Sequence, residues 1–460
     1  MNKLTDTSRY LYNLSIEDKL QKQAEKNIYY YKRNYLGIVD YLNEHLGSII
    51  SDKQMLKWMP RIIINDIPRF IDRLCLLYKN PADRTFKGNE ETIELFNKNL
   101  NKNVKEFHRR AKLQNTILVR PLFENDKFTF IILDRSRATV KTAEDDYNYM
   151  TELIYPREIT IGNELVTIYT HWNSDEVWVT DKDNNPVKNL PEVIQKDLGA
   201  NPYKEIPYIP LRLRDGYDDF WGDGIPDVVN NNEIISAKVS DAMAKQWMAF
   251  GYGIGVNLGA AANQLTMSPY QIYAVNQDRN DIPTPDLKFV TPNHNVEEDK
   301  NLTDWMRKTI GNTMGISGAS MSEQISEMSG YSKQMDNIEI QDQNNDDRDV
   351  LIEFEFELNR MMNKEYEFIQ KSKGATLEQC NIKEYQFPKS TAEIWGEREY
   401  ELKYDMSTPE DWIKQDRPDL DESQIKQLLA DNKTVNANYK QKNTTASTFR
   451  DKIEQARVNV

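Results

Sequence analysis

The sequence predicts an α+β fold, on three observations. Apolar residues recur at three- and four-residue intervals over the first 110 residues. From about Thr116 the period changes to short β-branched and aromatic stretches that reach about residue 213. From Ile225 onward helical spacing returns. No internal repeat or heptad array interrupts this order.

In the first region Leu20, Ala24, Ile28 and Tyr31 fall at helical spacing, as do Ile93, Phe96, Leu100, Val104 and Phe107. Between them, RIIINDIPRFIDRLCLLYKN opens as a continuous apolar run and settles into a helix over 67–77. The stretches ILVRPLF, FTFIILD, ELVTIYTHW and EVWVT are short, β-branched and aromatic. Turn residues separate them, among them Glu124, Asn125 and Asp126. They predict a largely antiparallel sheet region that reaches IPYIPLRL at 206–213.

At Gly222–Pro226 the pattern switches back to helix, with a proline where the first turn tolerates it. Ile225, Val228, Val229, Ile235, Val239, Met243, Trp247 and Phe250 then make one apolar face, which stops at Gly251, Gly253 and Gly255. A Pro-rich, β-like stretch including YQIYAV and LKFV runs to about Pro292. A second helix follows, with Asn295 and Glu298 as its capping box and Leu302, Trp305, Met306 and Ile310 on its apolar face. The segment GISGASMSEQISEMSG at 315–330 is nearly free of bulky side chains, and a loop of that length between helices points to function. Leu351, Phe354, Leu358, Met361 and Met362 mark a third, longer helix, although IEFEFEL at 352–358 alternates with period two and keeps a short strand open. In the tail, EYELKYD at 399–405 predicts a strand and residues 423–429 a helix. The polar end, with KQKNTTAST, is expected to be disordered.

Composition narrows the function. The chain has 460 residues, 29% of them charged, with a formal net charge of −14. Such acidity argues against tight wrapping on nucleic acid, whose phosphates are bound mainly by Lys and Arg. Two cysteines, Cys75 and Cys380, suit a reducing compartment. Without an apolar run near 18 residues or a signal-peptide pattern at MNKLTDTSRY, a soluble cytoplasmic protein with no membrane partner is expected.

Catalytic motifs are sparse. His45, His108, His171 and His294 lie in four separate regions without neighbouring ligands, so no metal is expected. DKDNNPVKNLPE at 181–192 imitates a calcium loop, but Pro186 occupies the position where that loop requires glycine; a β-turn is the better reading. No GxxxxGK[ST] phosphate loop and no GxSxG elbow occur. GYGIGVNLG at 251–259 follows a helix instead of a strand, which removes the context of a dinucleotide site. Acid pairs such as Asp218 and Asp219 have no partner that spacing places across a cleft. No catalytic residue and no cofactor are expected.

The third long helix is more informative. Asp336, Glu339, Asp342, Asp346, Asp347, Asp349, Glu353, Glu355 and Glu357 stand against a single Arg348 between residues 336 and 357. A solvated helix face explains such a run, and so does a wall that repels a phosphate backbone. Both readings stay open on the residues alone.

This order of elements resembles the portal proteins of tailed double-stranded DNA bacteriophages, the head-to-tail connector ring at one capsid vertex. KEIPYIPLRLRD, WGDGIPDVVNNNEIISAKVSDAMAKQWMAFGYG and GNTMGISGAS followed by SGYSKQMDNIEIQDQ carry the resemblance, which covers about residues 205–370. It implies a portal-like fold: a mixed helical and antiparallel-β wing over 1–222, helical to 110 and β-rich over 111–222. A first stem helix over 223–250, a small α/β clip over 251–294 and a second stem helix over 295–314 follow. The tunnel loop would be 315–330, the long tunnel helix and wing return 331–405, and a short crown or C-terminal tail 406–460.

Under the resemblance, Ser317, Ser320, Met321, Ser322, Glu323 and Gln324 face DNA from the tunnel loop. Asp336, Glu339, Asp342, Asp346 and Asp347 form the acidic channel face, and Ile225, Val228, Ile235, Val239, Met243 and Trp247 pack the stem. The implied partners are further copies of the chain in a ring of twelve, the major capsid protein, the terminase large subunit, a tail adaptor, and double-stranded DNA that passes without sequence-specific binding. The expected location is the virion, after assembly in the host cytoplasm. Acidity and abundant Trp and Tyr keep a glycan-active or glycan-binding enzyme as an alternative, and a different phage head structural protein is a further one.

Overall fold

Antiparallel strand pairing organises the middle of the chain, and helices flank it in sequence on both sides. The computed structural model describes residues 3–50, 53–161, 164–187, 190–195, 198–216, 219–251, 254–257, 287–290, 295–316, 338–383, 391–404, 406–417 and 420–433. These belong to two units, Met1–Glu327 with Met335–Gln386, and Met328–Gln334 with Phe387–Val460.

The larger unit begins with helices α1 (Lys3–Tyr31), α2 (Tyr35–Ile49), α3 (Lys53–Trp58) and α4 (Ile67–Leu74). Strand β1 (Asp83–Lys87) and helix α5 (Glu90–Gln114) follow. Next come β2 (Thr116–Glu124), β3 (Lys127–Leu133), β4 (Thr139–Thr142), β5 (Met150–Ile161), β6 (Glu164–Trp172) and β7 (Glu176–Thr180). A short α6 (Glu192–Gln195), β8 (Gly199–Ala200) and β9 (Ile209–Arg212) end this region. All strand pairings are antiparallel, in a β3–β2–β9 sheet and a β4–β5–β6–β7–β8 sheet. The β-branched and aromatic stretches are therefore strands, as the sequence predicts, and β4, β5 and β8 add three that it did not single out.

Strand β2 is buried on both faces, which is why its sequence reads as a run and not as an alternation. Ile117 and Val119 face a core made by Phe96, Leu100, Val104 and Phe107 of α5 together with Leu351, Phe354, Leu358 and Met361. Leu118, on the other face, joins a second core with Leu153, Trp172, Tyr208 and Trp221. The turn at 181–186 is a turn, with Asn184 at φ +60° and the Asp181 carboxylate accepting from the Asp183 and Asn185 backbone N–H groups.

Beyond β9 lie α7 (Pro226–Gly251), β10 (Ile254–Asn257), β11 (Leu287–Val290), α8 (Val296–Thr313), α9 (Ile338–Gln370) and β12 (Thr376–Asn381). β12 pairs with β1. Residues 352–358 are helical, not a strand: Leu351, Phe354, Leu358 and Met362 fall on one side of α9 and are buried, while Phe356 points out. Helical burial outweighs the local alternation. YQIYAV lies outside the described residues; LKFV is β11, paired with β10.

The smaller unit contains α10 (Thr391–Lys403), α11 (Pro409–Asp416) and α12 over 422–433. EYELKYD therefore enters a helix instead of the predicted strand. Helical geometry brings the Tyr400 and Tyr404 rings to 4.5 Å, and lets the Glu401 carboxylate accept from Trp412 Nε1 at 2.7 Å. Residues 434–460, including the polar end, lie outside the described residues.

One connection in the larger unit is unusual. Residues 61–65 run along α7 without regular secondary structure, Asp66 turns into α4 with φ −91° and ψ −6°, and side chains of α7 take the place of a neighbouring strand. Ser240 Oγ accepts from Ile62 N (3.0 Å), Ser236 Oγ from Ile64 N (3.1 Å) and Asn232 Oδ1 from Asp66 N (3.2 Å). Asn232 Nδ2 and Ser236 Oγ donate back to Ile64 O at 2.6 and 3.0 Å. All three side chains are fully buried. Four helical residues advance about 6.0 Å and two strand residues about 6.6 Å, so polar residues four apart meet backbone groups two apart. Each backbone group left unpaired here costs about 1–3 kcal/mol.

Candidate functional site: the α7–α8 hairpin and helix α9

The segment before α7 is fixed on the end of α5. Asn115, at φ +67°, donates from Nδ2 to Arg214 O (2.9 Å) and Trp221 O (3.1 Å), and its Oδ1 accepts from Arg214 N (3.1 Å). Gly224 then passes so close that a Cβ there would lie 2.1 Å from Leu113 O. Gly224→Ala is therefore expected to lower stability by about 1–3 kcal/mol, read as a lower midpoint in urea.

From this anchor α7 leads to β10, β11 leads back, and α8 packs against α7. The N-cap of α8 is Asn295, but the arrangement differs from the capping box expected. Its side chain accepts from Glu297 N (3.2 Å) and donates to the Glu298 carboxylate (2.9 Å) instead of exchanging bonds with the Glu298 backbone. The helix ends where Gly315 takes φ +70° and Ile316 N returns to Gly311 O at 2.8 Å. Ile316 is buried. The start of the predicted tunnel loop is thus a helix stop pinned into the body. Ser317, Ser320, Met321, Ser322, Glu323 and Gln324 lie outside the described residues.

The predicted stem packing is only partly what α7 buries. Val228 and Ile235 are buried, and Ile225 and Val239 are half-buried, but Met243 is 37% exposed. Trp247's side chain lies outside the described residues. The covered face joins Val228, Val229 and Ile235 to small and polar residues: Asn232, Ser236 and Ser240, with Ala237, Ala244 and Glu233. Glu233 is held by Lys26 Nζ at 2.5 Å and His45 Nδ1 at 3.2 Å. The correction has a simple cause. Part of that face meets a bare backbone, which needs short hydrogen-bonding side chains, and Val239 and Met243 turn partly outward. Leu302 and Trp305 of α8 are likewise 43% and 63% exposed, leaving Ile310 as the buried member of the predicted face.

Helix α9 sorts its acids into two groups. Asp342, Asp346, Asp349, Glu353 and Glu357 are exposed, and steps of four, three, four and four residues keep them within an arc of about 80°. Asp347, expected on the same face, is buried; this is a second correction. Its Oδ2 accepts from Lys112 Nζ (2.8 Å) and His108 Nε2 (3.0 Å). Those contacts outweigh burial and hold the Asp347 carboxyl below its usual range. Burial dominates at His108 and lowers its pKa, so the ring is neutral and its Nδ1 has no partner. Within the 336–357 run Glu355 is the second buried acid, in a bidentate pair with Arg84. Further along the helix Glu365 is buried too, accepting from Phe123 N and the Tyr203 hydroxyl. Asp336 and the Glu339 side chain lie outside the described residues.

A cavity of about 280 Å³ opens where α5, α7, α8 and α9 meet, lined by Lys112, Arg214, Asp227, Thr313, Met314 and Gln343 among others. Among the described residues, no group of three or more His, Cys, Asp or Glu side chains is arranged to hold a metal ion. None of the described helices is long and apolar enough to cross a membrane.

No protein-family model matches the chain, and no curated protein matches it. Among solved structures, a chain from the virion of a native gene transfer agent particle aligns with 76% of this chain and 89% of its own length. The identity is 9% and the TM-score 0.37.

Proposed function

We propose that this chain is a portal subunit, one member of a ring at a capsid vertex through which double-stranded DNA is packaged and ejected. One observation carries the reading. A 26-residue helix leads to a small antiparallel pair, an 18-residue helix returns against the first, and after residues 317–337 a 33-residue helix runs through the β-rich body with one exposed acidic stripe. In such a ring the hairpin is the stem, β10–β11 belongs to the clip, and residues 317–337 hold the tunnel loop. A like-charged lining repels the DNA backbone and keeps a passing duplex from sticking. The Met243, Leu302 and Trp305 side chains, exposed in one subunit, are suited to the head-to-tail contacts that close a ring.

Negative-stain imaging of the purified chain, alone and with its capsid proteins, tests the proposal. Rings with a central hole are expected, and a solitary compact particle under every condition sinks the reading. A second test uses the loop. Deleting residues 317–329, which spares the pinned Ile316, is expected to leave assembly intact and to reduce packaged DNA at least tenfold in a particle assay.

A further inference from the structure

We infer that residues 62–76 are a tie that couples the position of the α7–α8 hairpin to the first turns of α9. At one end the backbone N–H groups of Ile62, Ile64 and Asp66 hang on Ser240, Ser236 and Asn232 of α7. The Asp66 carboxylate reaches α8 as well, 3.0 Å from Arg307 Nε. At the other end, Asn344 of α9 donates to Leu74 O (2.8 Å) and accepts from Leu76 N (3.0 Å). Between the ends stands α4, whose Ile67, Pro68, Phe70, Ile71 and Leu74 are buried and leave it little freedom to bend.

The bonding pattern fixes the register of the tie. Each end is held by buried side chains on backbone groups, so neither end slides without leaving an N–H or C=O unpaired. Val228 and Ala244, one step before and after the three polar positions, offer no hydrogen bond. The hairpin therefore has a single register on the segment. A pull or twist on it is delivered through α4 to Asn344, beside the start of α9, independently of the chain path through 317–337. The inference needs only the larger unit and does not depend on the portal reading.

Hydrogen–deuterium exchange on the full-length protein tests it. Ser236→Ala with Ser240→Ala is expected to speed exchange roughly fivefold or more not only at 62–66 but also at 74–76 and 338–346. The reciprocal change, Asn344→Ala, is expected to speed exchange at 62–66. If the double variant does not fold, Ser240→Ala alone removes the outermost contact and serves the same comparison. Acceleration confined to each mutated neighbourhood overturns the tie. Strict additivity of the Ser236→Ala and Asn344→Ala effects on the urea midpoint also overturns it, because coupled sites deviate from additivity.

Discussion

Glu355→Ala is expected to destabilise the protein by about 3–5 kcal/mol, because it strands a buried guanidinium. Arg84 and Glu355 both have fully buried side chains. Arg84 Nε and Nη2 donate to the two carboxylate oxygens at 2.5 and 2.8 Å, and Tyr78 adds a hydroxyl at 2.7 Å. Burial, reinforced by that carboxylate, pushes the nearby Cys380 thiol up to about 12. Removing the carboxylate leaves the buried Arg84 guanidinium with only Asn97 and Asn101, at its outer edge, as neutral partners. The control is Arg84→Met with Glu355→Leu, an apolar replacement of the pair, which is expected to lose much less than Glu355→Ala alone. Urea unfolding followed by tryptophan fluorescence measures both. Equal losses in the two variants would refute this account of the pair.

Asp347→Asn is expected to cost about 3 kcal/mol at pH 7, since buried Lys112 then has no counter-charge. Adding Lys112→Met should recover part of the loss. The same cluster sets an acid limit. The folded-state pKa of His108 lies below its ordinary 6.5, so the unfolded chain takes up this proton first as pH falls. The stability contributed by neutral His108 is complete above 6.5 and declines as pH drops through 6.5 toward the folded value. Asp347 is depressed in the same sense from 3.8, and its contribution declines only below that. A first decline in urea midpoint between pH 7 and 5 is therefore expected, and His108→Gln should flatten it. An unchanged slope in that variant rules out His108 as its source.

What was legible in the sequence follows from how burial writes itself into spacing. α5 and strands β2, β3, β6, β7 and β9 bury apolar side chains and stood out, whereas α7 and α8 stood out by spacing although only part of each predicted face is buried, and β5 at Met150–Ile161 was not singled out. The competing signals at IEFEFEL and EYELKYD are alternations of large side chains that a helix accommodates equally well. Long-range polar pairing left no comparable trace. Asp347 meets His108 across 239 positions, and Glu355 meets Arg84 across 271, so two acids in a run of nine look like the other seven. The polar positions 232, 236 and 240 have regular spacing, yet Asn and Ser on a helix ordinarily mean water. Only the extended isoleucines at 62–64, otherwise without a strand to pair with, hinted that some other element had to satisfy them.

The two spacings in that contact also limit its length. A helix and an extended chain behave there as a vernier, two rulers whose divisions differ by about 0.6 Å. After two steps the mismatch has grown to about 1.2 Å, and all three backbone N–H groups still find a side-chain oxygen within 3.0–3.2 Å. The last division is Asn232, whose side chain is longer than serine and spans the growing gap. A further division would drift beyond the reach of either side chain, and the helix carries Val228 there. Graduated reach, short first and long last, is thus a pattern by which helices that seat a lone extended segment can be sought in other sequences.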